Sequence, residues 1–240
     1  MNTLIYILAL TTLLMSGHDT VVSQMKSPVE SLPRVESLGQ NDHALELFRR
    51  LSFSYILTDS KTDMRLYVMA AVQASLPAAF HDRALEIARA VIEEGNQHNM
   101  DPFFLLAVMK TESKFDLDVI GTHGEIGLMQ ILPGTAAWLA PQAGLAQNFD
   151  LHDPATNIRL GATYIAQLRK KFSNQPQRYV GAYNMGPRNV RRLMASNSEP
   201  QIYPAKVLNH YRDFYRVVSR ALSVATTKLA LQTPLGNVEE

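Results

Sequence analysis

The chain has 240 residues, enough for one domain of ordinary size with a small extension. Apolar residues make up 46% of the chain, so it can bury a sizeable core, and the formal net charge is only +1. That charge argues against a protein that binds nucleic acid through its bulk charge. The absence of cysteine excludes disulfides, cysteine nucleophiles and zinc–thiolate sites.

Charge is unevenly distributed along the chain. Residues 1–158 hold 10 lysines and arginines against 18 acids, whereas residues 159–240 hold 13 against 4. One interpretation is ion pairing between two parts of a single fold, and this is the interpretation that we favour. The other is a basic surface that faces an anionic polymer.

The N-terminal segment has the pattern of a secretory leader. Residues 4–15 are apolar except for two threonines, a run that suits a signal-peptide core and is short for a transmembrane helix. We predict a signal peptide over residues 1–23, with an uncleaved inner-membrane anchor as the alternative because no lysine or arginine precedes the run. The polar residues 24–40, which include two prolines, are predicted to form a linker.

Residues 41–81 are predicted to form a helical hairpin in front of the main domain. Its first helix begins at Asn41 or Asp42, where a side chain can cap it. Its second helix covers about residues 62–76 and stops at Pro77. This hairpin matches no motif that we can name.

Residues 82–224 are predicted to form the main domain, an all-α unit. Asp101-Pro102 places a capping acid before a proline, a strong helix start, and the helix that follows is apolar nearly all round, as expected of a central buried helix. Asp82 is expected to cap an earlier helix. Apart from a brief candidate strand at residues 126–131, no strand alternation is evident.

The same acid-proline start recurs at Asp153-Pro154, before a helix whose apolar residues return every three or four positions. Later helices are indicated on both sides of Gly186-Pro187. Residues 225–240 are expected to be a flexible tail.

Glu112 ends the central apolar helix. Its helical face is otherwise apolar, and it lies near the negative end of the helix dipole, so both burial and the dipole disfavour the ionised form and should raise its pKa. A carboxylic acid that is still protonated near neutral pH is what cleavage of a glycosidic bond requires. The alternative is a glutamate at a helix end that points into water.

A loop with Gly121, Gly124 and Gly127 follows the acid. Glycines at this density allow close backbone approach to a ligand. Their spacing differs from the dinucleotide and P-loop fingerprints, HExxH and GxSxG motifs are absent, and the seven histidines do not cluster at metal-ligand spacing. We therefore expect neither a cofactor nor a metal.

Three motifs of the sequence resemble those of a known family. Glu112-Ser113, followed by residues 127–130 (GLMQ) and 133–136 (PGTA), resembles the lytic transglycosylases of the soluble (SLT) type, whose catalytic domain has a goose-type, lysozyme-like fold. Residues 153–164 and 182–187 resemble the second and third motifs of that family. The resemblance covers roughly residues 83–220, with three motifs in the family's order.

The resemblance implies an activity on peptidoglycan glycan strands in the periplasm. The bond cleaved is the β-1,4 link between N-acetylmuramic acid and N-acetylglucosamine, and the product is a 1,6-anhydro sugar. Glu112 would act first as the acid and then as the base. A lysozyme-type hydrolase and a non-catalytic glycan-binding scaffold remain the alternatives. Two cellular roles stay open from the sequence: general remodelling of the wall, or a dedicated role beside a secretion system, pilus or flagellum.

The motifs of the family also imply roles for individual residues. Gln130 is expected either to donate hydrogen bonds to the sugar or to hold the loop, and Tyr183 is expected beside the acid, as an orienting group or a core tyrosine. Asn184 is expected either to bind glycan or to cap the end of its helix, and we favour the cap. Met129 and Thr122 complete the predicted substrate-binding set, although packing is the favoured role of Met129.

The chain also departs from the family. Many relatives carry serine at the position of Gly121, and the adjacent Thr122 is a substitute for it. Glu125 stands where relatives often have a small residue, and we favour a solvated carboxylate. The alternative is a carboxylate that points inward, where it could activate water and shift the outcome toward hydrolysis. Ser113 is expected to fix the turn after the acid. Trp138 either stacks on a sugar or packs in the core, and we favour the core.

Overall fold

The computed structural model describes residues 61–146 and 148–216. Its helices, in chain order, are α1 (Lys61–Ser75), a 3-10 helix (Ala78–Arg83), α2 (Ala84–His98), α3 (Pro102–Glu112), α4 (Pro133–Leu139), α5 (Pro154–Lys171), α6 (Pro176–Met185), α7 (Pro187–Ala195) and α8 (202–216). Within the described ranges, extended pairing is limited to isolated bridges that join Ile126 to Ile120 and to Ile131. The predicted all-α class is confirmed.

Helix α3 is the central buried helix, as predicted. Asp101 caps it, accepting a hydrogen bond of 2.8 Å from the Phe103 N–H, and Pro102 occupies the first turn, where no backbone donor is needed. All residues from 102 to 109 are buried. This burial on every side fixes the direction in which the end of α3, at Glu112, projects.

Helix α8 runs back along α3 and is attached to it at both ends. Near the start of α3, the buried carboxylate of Asp101 accepts hydrogen bonds from the hydroxyls of Tyr211 (2.6 Å) and Tyr215. Tyr203, at the other end of α8, donates a hydrogen bond to Glu112 at the end of α3. Tyrosine contacts at both ends therefore hold α8 along the length of the central helix.

The start of α2 differs from the prediction. The helix begins at Ala84, preceded by a 3-10 helix that runs to Arg83, and no side chain caps it. Asp82 lies inside that 3-10 helix, so it cannot serve as the predicted cap. Helix α2 packs mainly on α5 and on α1.

Several predictions concern residues that the structure does not describe: the signal peptide (1–23), the linker (24–40), the first hairpin helix and the tail (225–240). The second hairpin helix corresponds to α1. Among the described residues, no helix has the length and apolarity needed to cross a bilayer, and no cluster of three histidines or carboxylates could hold a metal. The division of the chain at residues 82 and 224 remains a prediction.

Candidate active site

Glu112 is half-buried at the end of α3, and its carboxylate accepts a hydrogen bond from the hydroxyl of Tyr203. Burial raises the pKa of Glu112 to about 7; the hydrogen bond from Tyr203 lowers it, and the charge of Glu125 raises it. The sequence predicted this direction of the shift. The alternative, a carboxylate that points into water, does not describe this side chain.

The turn after Glu112 is fixed by the buried hydroxyl of Ser113, as predicted. This oxygen lies 3.1 Å from the carbonyl oxygen of Met109 and 2.9 Å from that of Leu128, and it accepts a hydrogen bond of 3.1 Å from the Phe115 N–H. The contact with Leu128 joins the end of α3 directly to the glycine loop. Movement of that loop is therefore coupled to the position of the acid.

Asn157 of α5 binds the backbone of the glycine loop, the loop that contains Gly121, Gly124 and Gly127. Its buried side chain accepts a hydrogen bond of 2.8 Å from the Met129 N–H and donates bonds of 2.9 Å to the carbonyl oxygens of Ile126 and Leu151. Gly127 has φ +74°, and a Cβ there would lie 2.8 Å from the Asn157 amide nitrogen. Sequence reasoning placed Asn157 in a motif but gave it no role.

Gln130 holds the loop, which is one of its two predicted roles. Its backbone is left-handed, with φ +48°, and its side-chain N–H groups donate hydrogen bonds of 3.1 Å to the carbonyl of Val119 and 3.0 Å to that of Gly127. The amide donors are therefore engaged within the protein. A contact between Gln130 and sugar remains a proposal.

Met129 packs in the core, which is the role favoured for it, although it was also placed in the predicted substrate-binding set. Its side chain is 0% exposed and packs against Gly161 of α5, so it cannot touch a ligand. Its carbonyl accepts a hydrogen bond of 2.8 Å from the hydroxyl of Tyr183. Burial, and then the charge of Glu112, raise the pKa of Tyr183, which therefore lies near the acid without bonding to it.

Thr122 and Asn184 are both exposed. The Thr122 hydroxyl lies 3.2 Å from the imidazole of His123. The end of α6 is closed by a backbone bond from Gly186 N–H to the carbonyl of Ala182, so Asn184 does not act as the predicted cap. Their predicted contacts with glycan remain proposals.

Trp138 is 54% exposed, so the favoured prediction of core packing is wrong. Its ring meets that of Tyr164 edge-on, with centroids 6.4 Å apart, and Tyr164 lies 5.5 Å from the ring of Tyr183. The three rings form an aromatic run from the surface to the neighbourhood of Glu112. Helix α4 buries only Ala136 and Leu139, which leaves its tryptophan outside.

Tyr203 is the site residue that sequence reasoning missed. No role was assigned to it from the sequence, whereas in the structure its hydroxyl contacts Glu112, 91 positions earlier in the chain. No local pattern indicates a partner at such a separation. The nearest signal is a tyrosine at the start of a helix, and a tyrosine in that position is compatible with simple packing as well as with a role in a site.

Part of the chain is similar to known proteins. The family model described as Transglycosylase SLT domain matches residues 89–205. The chain is 29% identical over 150 residues to the membrane-bound lytic murein transglycosylase C of Mannheimia succiniciproducens, covering 57% of this chain and 41% of that protein. It is 33% identical over 98 residues to the soluble lytic murein transglycosylase of Escherichia coli K12, covering 40% and 15% respectively.

Among solved structures, the 70 kDa soluble lytic transglycosylase of Escherichia coli aligns with a TM-score of 0.48 and 22% identity, over 73% of this chain and 29% of that one. The chain thus spans less than half the length of each of these relatives. The segment that matches the family model contains Glu112, the glycine loop, Asn157, Tyr183 and Tyr203. Residues 89–205 are thus similar to the family model described as Transglycosylase SLT domain.

Proposed function

We propose that this protein is a lytic transglycosylase that cleaves the β-1,4 bond between N-acetylmuramic acid and N-acetylglucosamine in peptidoglycan. The observation that carries the proposal is Glu112, a half-buried acid with a pKa of about 7 at the end of α3, inside an SLT domain. The relatives to which the chain is similar are named lytic murein transglycosylases, and these names support the same reaction.

Glu112 serves as both acid and base in this reaction. With a pKa of about 7, roughly half of the molecules hold the proton at neutral pH. The acid gives this proton to the glycosidic oxygen, and the C–O bond breaks with its electron pair on the leaving sugar. The Glu112 carboxylate then takes the proton of the muramic 6-hydroxyl as that oxygen bonds to the anomeric carbon. The product is a 1,6-anhydro sugar, no water is consumed, and Glu112 regains its proton.

Two surfaces support a long, anionic glycan as the substrate. The aromatic run of Trp138, Tyr164 and Tyr183 offers rings on which sugars can stack. The second surface is the α7 arginine face, which we define as Arg188, Arg191 and Arg192. These residues are exposed on α7, which follows α6 directly, and no acidic partner binds them among the described residues. Carboxylates on the peptide stems of peptidoglycan would complement these charges.

The proposed location is the periplasm, because the substrate lies there and because residues 1–23 are predicted to be a secretory leader. A secretion system, pilus or flagellum as a partner remains an expectation from the sequence. The proposed domain arrangement keeps residues 82–224 as the catalytic unit and residues 41–81 as an N-terminal helical extension.

Product analysis of purified peptidoglycan sacculi tests the proposed reaction. Digestion by the full chain should release muropeptides that end in anhydro sugars, each one water lighter than the hydrolysis product in a mass spectrum. Reducing ends instead would make the protein a lysozyme-type hydrolase. Binding to sacculi with no released product would make it a glycan-binding scaffold.

A further inference from the structure

The segment between α7 and α8 lies against α6 at Pro200. Pro200 is buried, and it packs on Gly181 in the middle of α6. A Cβ at Gly181 would lie 2.3 Å from the Cβ of Pro200 and 2.5 Å from its Cγ, distances that non-bonded carbon atoms cannot keep. Glycine is normally unfavourable inside a helix, and here it is what allows Pro200 to come this close to the backbone of α6.

Two polar contacts hold the same segment on the same helix. The side-chain N–H of Gln177 donates a hydrogen bond of 2.8 Å to the backbone carbonyl of Pro200, and the guanidinium of Arg178 donates one of 2.8 Å to the carboxylate of Glu199. Both bonds are partly buried, which strengthens them relative to bonds in water. Gln177 and Arg178 lie four and three positions before Gly181, so the three residues share one face of α6. We call these three residues the Pro200 seat.

The Pro200 seat lies close in the chain to the residue that binds the acid. Tyr203 belongs to the first turn of α8, three residues after Pro200, and its hydroxyl donates a hydrogen bond to the carboxylate of Glu112. Helix α6 in turn packs on α3, the helix that ends at Glu112, since the rings of Tyr179 and Phe104 meet edge-on with centroids 6.3 Å apart. The seat, the start of α8 and the end of α3 are therefore joined in one closed set of contacts.

We propose that Gly181 is a positioning residue of the reaction: by admitting Pro200 to the surface of α6, it places the hydroxyl of Tyr203 against Glu112. The other two members of the Pro200 seat hold the same segment in place. They act on the acid through Tyr203 and not by contact with it. This inference rests on the proposed function, in which Glu112 is the general acid.

This packing gives Gly181→Ala a defined consequence. The ring of Pro200 is closed onto its own backbone nitrogen, so it cannot rotate away as a long side chain would. The added methyl group must therefore displace the backbone at Pro200, and with it the start of α8. The hydroxyl of Tyr203 then leaves its place, and the ionised form of Glu112 loses the hydrogen bond that stabilises it.

The test follows the titration of Glu112 by NMR in the full chain, labelled with 13C-glutamate, and compares three variants with the wild type. Gly181→Ala is the main variant. Gln177→Met removes the donor to the Pro200 carbonyl with a side chain of similar length, and it replaces the main variant if that one does not fold. Gly134→Ala is the matched control, because it also adds a methyl group within a helix but meets no atom within 4 Å. The Glu112 signal is assigned from its loss in Glu112→Gln.

The pKa of Glu112 should rise in Gly181→Ala, by no more than it does in Tyr203→Phe, and by less in Gln177→Met. It should stay unchanged in Gly134→Ala. In digestion assays, the alkaline limb of the pH–rate profile should move to higher pH in the first two variants only. The effect passes through Tyr203, so adding Gly181→Ala to a Tyr203→Phe protein should move the pKa no further.

The other titratable groups that act on Glu112 are Tyr183 and Glu125, and all of these variants keep both. An unmoved pKa in a folded Gly181→Ala protein overturns the proposal, as does an unmoved pKa in Gln177→Met if Gly181→Ala does not fold. It is also overturned by an equal rise in the matched control, or by a further rise in the Tyr203→Phe background. Because the titration needs no substrate, a failure of the proposed function shows separately, as a wild type that does not digest sacculi.

Discussion

At the scale of single residues, the site depends on opposing effects on one carboxyl group. Burial and the charge of Glu125 raise the pKa of Glu112, and the hydrogen bond from Tyr203 lowers it. The hydroxyl of Tyr203 stabilises the ionised form, which is the form needed in the second half of the proposed reaction. Tyr203 therefore orients Glu112 and also limits how tightly the proton is held.

Tyr203→Phe should raise the pKa of Glu112, because it removes the bond that stabilises the carboxylate. The alkaline limb of the pH–rate profile is expected to move to higher pH, and the rate at its optimum to fall by about tenfold as the acid loses its fixed orientation. Tyr211→Phe is the matched control. It removes a hydroxyl from the same helix, but one that binds Asp101, so it should lower stability without moving the limb. A limb that moves equally in both variants contradicts this role of Tyr203.

At the scale of elements, α5 supports the glycine loop through two neighbouring contacts. Asn157 bonds to the backbone of the loop, and one helical turn later Gly161 receives the side chain of Met129. A Cβ at Gly161 would lie 2.3 Å from the sulfur of Met129 and 2.9 Å from its Cβ. The close approach of α5 to the loop thus requires a glycine inside a helix, where glycine is normally unfavourable.

Alanine substitutions at two helical glycines should therefore have opposite effects. Gly161→Ala is expected to destabilise the protein by roughly 1–3 kcal/mol, because Met129 cannot move its Cβ out of the way without moving the loop. Gly134→Ala in α4 meets no atom within 4 Å and should be neutral or stabilise by up to about 1 kcal/mol. Urea unfolding measures both. A Gly161→Ala protein as stable as the wild type would show that α5 does not constrain the loop in this way.

Helix α7 carries three arginines and no acidic residue. Arg188, Arg191 and Arg192 lie three and four positions apart, so like charges share one face of a short helix, which costs about 0.2–0.5 kcal/mol for each such pair. Arg159 of the basic part lies 2.9 Å from Glu94 of the acidic part, whereas Arg178 pairs with Glu199 within the basic part, at 2.8 Å. Internal pairing therefore explains part of the charge asymmetry, and the α7 arginine face is left to meet an anionic surface.

Arg188→Gln combined with Arg191→Gln should weaken binding to intact sacculi by about 2- to 30-fold at low salt, the range expected for two exposed ion pairs. The difference should shrink as salt is added. Binding is measured by cosedimentation in a Glu112→Gln background, so that the sacculi stay intact. Lys170→Gln combined with Lys171→Gln is the control, because these two lysines lie far from Glu112. They end α5 next to Arg169, which donates hydrogen bonds to the carbonyls of His98 and Asn99, just before the start of α3. Glu112 lies at the other end of α3.

Sacculi whose stem carboxylates have been neutralised by amidation should bind the double arginine variant and its parent equally well. Two results would contradict recognition of the stem carboxylates by α7: equal losses in the arginine and lysine variants, or a loss in the arginine variant that is as large on amidated sacculi as on untreated ones.

At the scale of the whole molecule, the sequence was informative wherever a feature depends on neighbours in the chain. The start of α3 follows from Asp101 and Pro102 because capping is local. The raised pKa of Glu112 follows from the composition of its own helix. Features that depend on packing between distant segments were not predictable: the bond from Tyr203 to Glu112 and the exposure of Trp138.

The assignment of side chains within the recognised motif shows the same limit: packing was favoured for Met129, yet the residue was also placed in the substrate-binding set. The motif identified the loop, but which of its side chains face the cleft is decided by the approach of α5, at Gly161 and Asn157. A short apolar stretch such as this gives no periodicity from which to assign an inner and an outer face.

The most direct test of the account is Glu112→Gln. Digestion of sacculi should be abolished, and the variant should be more stable than the wild type at pH 8, by an amount on the order of 1–3 kcal/mol. The sign follows from the pKa of Glu112, which is about 7 in the folded protein against an ordinary value of 4.5: the folded state holds the proton more tightly, so the wild type loses stability as the pH rises through that interval. The gain should vanish below about pH 4.5, where both states are protonated. A Glu112→Gln protein that still digests sacculi at the wild-type rate would contradict the account.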